Sequence, residues 1–108
     1  MGRSYLGEFE ELVLLMVGVL NEEAYGVAIQ DEIQARADRS VNISAVHTAL
    51  HRLEEKGFVK SQMGGATAER GGRRKRLFSL TYNGKYALDQ TREIRNDLWQ
   101  QIPNIAYS

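Results

Sequence analysis

Four of the chain's ten glycines, Gly64, Gly65, Gly71 and Gly72, fall in one nine-residue window. Runs with strand character flank it. Phe58-Val59-Lys60-Ser61-Gln62-Met63 comes before, and Leu77-Phe78-Ser79-Leu80 comes after, with Phe78 and Leu80 on one face. A glycine-rich turn between two such runs predicts a β-hairpin. The single proline is Pro103, so nothing before it forbids regular structure.

The rest of the chain reads as helix. Over residues 8–20, Phe9, Leu12, Val13, Met16 and Leu20 recur at three- and four-residue spacing, and Glu8, Glu10 and Glu11 favour the N-terminal end of the helix dipole. Leu14, Leu15, Val17 and Val19 widen the apolar face, which places this helix in the core or in a subunit interface. Residues 25–39 predict a second helix with Val27, Ile29 and Ile33 as its stripe. Residues 43–56 predict a third, capped by Asn42 or Ser44 and stopped at Gly57. Thr81 can cap a last helix running to about Gln101. Three short helices, a hairpin and a final helix make a mainly α, α+β chain with the plan of a winged helix-turn-helix. Residues 1–80 would form the winged unit, and residues 81–108 a C-terminal dimerisation helix and tail.

Charge sharpens the reading. The 14 Lys and Arg balance 14 Asp and Glu over 108 residues, which at face value disfavours a polyanion partner. The balance is a sum of opposites. Residues 1–55 hold 4 basic and 10 acidic residues, whereas residues 56–108 hold 10 basic and 4 acidic. Such asymmetry hints at a surface for a polyanion. The chain has no cysteine, which excludes a disulfide framework, a thiolate metal site and a cysteine nucleophile. The longest apolar run, Leu12 to Leu20, is shorter than the roughly 20 residues that span a bilayer, and acidic residues precede it. A soluble, cytoplasmic protein with no membrane partner is expected.

The third helix has two faces. Val46, Ala49, Leu50 and Leu53 form a core stripe. Ser44, His47, Thr48 and His51 share the same spacing on another face, flanked by Arg52 and free of carboxylates, with Glu54 and Glu55 only in the last turn. Hydroxyls and imidazoles can meet phosphate or base edges. Plain solvation of this face remains the alternative. The hairpin turn is more telling. In Glu69-Arg70-Gly71-Gly72-Arg73-Arg74-Lys75-Arg76, five of eight residues are basic. The glycines permit close approach to a surface, and arginines suit phosphate oxygens or a narrow minor groove. A merely solubilising turn would dilute its cations with carboxylates.

The stretch from Ile43-Ser44-Ala45-Val46-His47-Thr48-Ala49-Leu50 through Glu54-Glu55-Lys56-Gly57-Phe58-Val59, the basic run Arg70-Gly71-Gly72-Arg73-Arg74-Lys75-Arg76, and Leu80-Thr81-Tyr82-Asn83-Gly84 resemble the PadR family of bacterial transcriptional regulators. Leu6-Gly7-Glu8-Phe9-Glu10 and Ala24-Tyr25-Gly26-Val27 fit the same pattern, so the resemblance covers about residues 5–90. It implies a dimeric winged helix that usually represses transcription, binds operator DNA through the third helix and wing, and often leaves DNA on binding a small effector. The DNA-binding residues expected here are Tyr25, Ser44, His47, Thr48, His51, Arg52, Arg70, Gly71, Arg73 and Arg74. The chain departs from the family at His47, where tyrosine is common, and in a short C-terminal region of one helix, which resembles the compact subgroup.

That last helix carries Leu88, Thr91, Ile94, Arg95, Leu98 and Ile102 near a 3.5-residue period. Packing on the first helix or on a second subunit would bury the stripe, and a two-fold dimer is expected. Two third helices about 34–36 Å apart would then read a palindromic operator in double-stranded DNA. Trp99, the only tryptophan, either stacks on a flat aromatic effector or anchors the dimer. No enzyme, cofactor or metal site is expected. His47 and His51 have zinc-helix spacing, but Thr48 stands where a hydrolase needs glutamate, and no third ligand is evident. The competing function is a winged helix for protein contacts alone, which gives no reason for the basic turn.

Overall fold

In the computed structural model, residues 6–64 and 75–105 are described. Among them are four helices, α1 (Glu8–Leu20), α2 (Gly26–Ala37), α3 (Ile43–Glu55) and α4 (Tyr82–Gln101), and one hairpin of β1 (Val59–Met63) and β2 (Arg76–Leu80). A 3-10 turn at Asn21–Glu23 follows α1. The strands pair antiparallel, with Val59 opposite Leu80 and Met63 opposite Arg76. This is the expected winged helix-turn-helix of the α+β class.

Local chemistry sets the boundaries. The Asn42 side chain accepts a hydrogen bond from the Ala45 N–H at 2.8 Å and so caps α3, while Ser44 donates to Asn42 rather than capping. At the other end Gly57 takes a positive φ of 80°. Its N–H bonds the Glu54 carbonyl, and the Phe58 N–H bonds the Leu53 carbonyl, which is a Schellman stop. Helix α2 is shorter than expected. It begins at Gly26 and ends at Ala37 because Asp38 adopts the left-handed conformation.

The core lies where α1, α2 and α3 meet. Val13, Leu14, Val17, Ile29, Ile33, Val46, Leu50 and Leu53 are almost fully buried, and Phe58, Val59 and Phe78 close it from the hairpin. The Phe78 N–H also donates to the Ala24 carbonyl at 2.8 Å, which ties the hairpin to the α1–α2 connection. One sequence expectation needs correction. Val27 is exposed rather than part of the α2 stripe, because Gly26, Ile29 and Ile33 already occupy the inward face. Leu15 and Val19 are exposed on α1, so its apolar circumference is only partly used within one chain.

The acidic first turn of α1 does more than complement a helix dipole. Glu8 accepts from Arg39 at 2.7 Å, Glu10 from Lys56 at 2.6 Å and Glu11 from Arg95 at 2.8 Å. One helical turn therefore reaches the α2–α3 connection, the end of α3 and α4. The hydrogen bond from Arg39 holds the Glu8 carboxyl below its ordinary value. The resulting stabilisation is present above the ordinary carboxylate range and is lost as pH falls through the lowered folded value. Arg39→Gln is expected to raise the Glu8 carboxyl toward its ordinary range in an NMR titration, with the more distant Arg95 still lowering it. Among the described residues, no single helix is long and apolar enough to cross a membrane.

Candidate nucleic-acid interface

Helix α3 presents Ser44, His47, Thr48, His51 and Arg52 to solvent and buries Val46, Ala49, Leu50 and Leu53. The helical period thus separates a polar face from a core face on thirteen residues. His47 lies against the start of α2. A Cβ at Gly26 would meet its Cε1 and Nε2 at 3.0 Å, so glycine there allows the imidazole to rest on the α2 backbone. The N-terminus of α2 and the polar face of α3 thereby become one continuous surface.

Two residues depart from the expected arrangement. His51 stands 3.3 Å from the Glu55 carboxylate. The polar face is therefore not free of carboxylates, because an i,i+4 pair shares one side of a helix. Arg52 leans toward α1, where its Nη1 is 3.9 Å from Glu10 Oε2. Thr48 is exposed, and Ser44 donates to Asn42 at 3.2 Å.

Tyr25 is half-buried at the residue preceding α2. Its ring lies beneath the ammonium of Lys75, whose Nζ is 3.7 Å from the ring centroid. The sequence groups Lys75 with Arg76, but the structure separates them. Arg76 donates to the Ser61 hydroxyl at 3.0 Å, and Ser61 donates to Glu54 at 2.8 Å, so this guanidinium turns back toward α3. Successive residues of a strand point to opposite faces. The expected contacts Arg70, Gly71, Arg73 and Arg74 lie outside the described residues. Sequence reasoning missed the part played by Gly26. Its only mark was a place in the Ala24-Tyr25-Gly26-Val27 run, since no periodicity singles it out.

Away from this surface, α1 and α4 bound an open groove of about 360 Å³ lined by Glu11, Leu15, Leu88, Arg92, Arg95 and Trp99 among others. Trp99 is 70% exposed. It stands on the rim of this groove rather than in an enclosed pocket.

The model of the transcriptional regulator PadR-like family matches residues 14–90. The chain belongs to that family. PadR-like proteins are transcriptional regulators, not enzymes, and this chain is one of them. A PadR family transcription regulator from hypervirulent Clostridium difficile R20291 shares the fold with a TM-score of 0.71 at 22% identity, over 87% of this chain and 93% of that one. A Streptococcus transcriptional regulator has a TM-score of 0.66 at 26% identity, over 86% of each chain. Bacillus subtilis PadR, solved in complex with operator DNA, has a TM-score of 0.62 at 17% identity, over 94% of this PadR-like chain and 51% of that chain. No curated protein matches the sequence. The family match ends at residue 90, so the outer part of α4, with Ile94, Leu98 and Trp99, lies beyond it.

Proposed function

We propose that this PadR-like regulator represses transcription as a homodimer bound to a palindromic operator in cytoplasmic DNA. The observation that carries the reading is the exposed α3 face of Ser44, His47, Thr48 and His51, continuous with the α2 N-terminus through Gly26 and beside a basic hairpin. In this reading Thr48 and His47 touch base edges in the major groove. Ser44, His51, Arg52 and Tyr25 flank them, and Arg70, Arg73 and Arg74 neutralise phosphates while Gly71 lets the backbone come close. Residues 1–80 serve DNA binding and residues 81–108 serve dimerisation. The dimer is supported by the exposed Ile94 and Leu98 on α4 and Ile102 just past its end, together with Leu15 and Val19 on α1. A flat aromatic effector would stack on Trp99 at the α1–α4 groove and release the DNA.

Selection of bound sites from random duplex DNA tests the reading, and enrichment of a palindrome is the expected result. His47→Ala and Thr48→Ala are expected to cost about 1–3 kcal/mol at individual base pairs and to relax the preference there. Replacing Arg73 and Arg74 with alanine is expected to weaken binding to every sequence alike and to flatten its salt dependence by about 0.9 slope units per lost phosphate contact. Failure to enrich any sequence, with no binding to random duplex, would point to a winged helix that contacts only proteins.

A further inference from the structure

We propose that Lys75 is a phosphate contact of this regulator in its own right, fixed at the root of the wing, and that Tyr25 is its positioning residue. The proposal rests on the DNA-binding reading above and adds to it a residue outside the arginines of the wing tip.

Geometry holds both partners in place. The Lys75 carbonyl accepts from the Gly64 N–H at 2.6 Å, one residue before β2 begins, so its backbone belongs to the hairpin ladder and not to the loop. The Tyr25 N–H donates to the Glu23 carbonyl at 3.1 Å, and its own carbonyl accepts from Ile29 at 2.9 Å. Between these anchored backbones the ammonium stands 3.7 Å from the ring centroid, well inside the range of about 6 Å for cation–π attraction. A free lysine loses substantial rotamer entropy when it is immobilised on a phosphate. Resting on the ring removes part of that loss before DNA arrives.

The nature of the partner matters as much as the distance. Arg39, Arg52, Lys56 and Arg95 each stand beside a carboxylate that cancels their charge. Arg76 is occupied by Ser61. Lys75 has a ring instead, and among the described residues no carboxylate lies within 4.0 Å of its ammonium. An aromatic face orders a cation without neutralising it, so the full positive charge is left for a polyanion. Its location is also suitable. Tyr25 immediately precedes Gly26, on whose backbone His47 of α3 rests. The wing root, the start of α2 and the recognition face are thus joined through Lys75, Tyr25, Gly26 and His47.

Binding to random-sequence duplex DNA, titrated with potassium chloride, tests the proposal without knowledge of the operator. Lys75→Gln is expected to lower affinity several-fold at fixed salt and to reduce the slope of log K against log salt by about 0.9 for all sequences. Base preference should not change. Tyr25→Leu, or Tyr25→Gln if the first does not fold, is expected to be non-additive with Lys75→Gln in a double-mutant cycle. Tyr25→Phe keeps the ring and should retain that coupling, which a merely structural role of position 25 would not predict. A wild-type slope in Lys75→Gln overturns the phosphate contact. Full additivity at positions 25 and 75 overturns the positioning role. If the wild-type protein binds no duplex at all, it is the DNA-binding reading itself that fails, and this proposal with it.

Discussion

Leu98→Glu is expected to convert the proposed dimer to a monomer at micromolar concentration and to lower operator affinity by roughly 10²–10⁴-fold, the gain that a second linked site supplies. Ile94 and Leu98 on α4 and Ile102 just past its end stand four residues apart in sequence and are each at least half exposed in the single chain, at 50%, 58% and 52%. Large apolar side chains in a row are unusual on a monomer's surface and mark an interaction site. In a two-fold interface, residue 98 lies close to its own symmetry mate or to the neighbouring turn. A glutamate there brings two carboxylates together and removes both from water. In the monomer the same position is open to solvent, and glutamate is a good helix former, so α4 should persist. The loss would therefore appear in assembly and not in folding. Sedimentation equilibrium reads the mass, and circular dichroism reads the helix. Binding to a half-site and to the full palindrome should become equal in the variant. A Leu98→Glu protein that remains dimeric with wild-type affinity would move the interface off this face of α4.

Much of the fold is legible because its instructions are local. Asn42 and Gly57 bracket α3, Thr81 starts α4, and the two faces of α3 follow from spacing alone. What the sequence hides is pairing over distance. Glu10 and Lys56 are 46 residues apart, and Glu11 and Arg95 are 84 apart, yet both pairs form. Part of the opposition between an acidic first half and a basic second half is thus spent inside the molecule, holding α1 to α3 and α4. The basic hairpin stands apart from that internal pairing, because Lys75 meets a ring and Arg76 a hydroxyl. The candidate site is legible to the same extent. The polar residues of α3 follow from periodicity, whereas the packing of His47 on Gly26 and of Lys75 on Tyr25 requires that α2, α3 and the hairpin first be brought together. The His51–Glu55 pair is a different case. Its i,i+4 spacing is visible in the sequence, but the position of Glu55 in the last turn draws attention away from it.

Gly84→Ala is expected to be the most damaging single methyl that can be added to this chain's described glycines, costing about 3 kcal/mol or more of stability, at the upper end of overpacking. Gly84 lies in the first turn of α4, and a Cβ there would collide with the Phe58 carbonyl oxygen and stand 2.9 Å from its carbon. Both are backbone atoms, so no rotamer change can relieve the clash. The helix would have to lift, yet it is fastened at that point. The Thr81 N–H donates to the Phe58 carbonyl at 3.1 Å, and the Thr81 hydroxyl donates to the Gly57 carbonyl at 2.6 Å. The same hydroxyl oxygen accepts the Gly84 N–H at 3.0 Å. Lifting α4 breaks this set together and displaces the helix that carries Leu98. Two other glycines calibrate the effect. Gly57→Ala meets nothing within 4 Å and should cost only the strain of its positive φ, about 1–2 kcal/mol. Gly18→Ala meets only the Leu80 side chain, at 3.1 Å, and its gain of about 1 kcal/mol in helix propensity should offset most of that crowding. Urea unfolding at one fixed protein concentration should therefore rank the losses as Gly84→Ala, then Gly57→Ala, then Gly18→Ala. A Gly84→Ala protein as stable as Gly18→Ala would mean that α4 does not press on Phe58, and that the seat of the C-terminal helix has to be sought elsewhere.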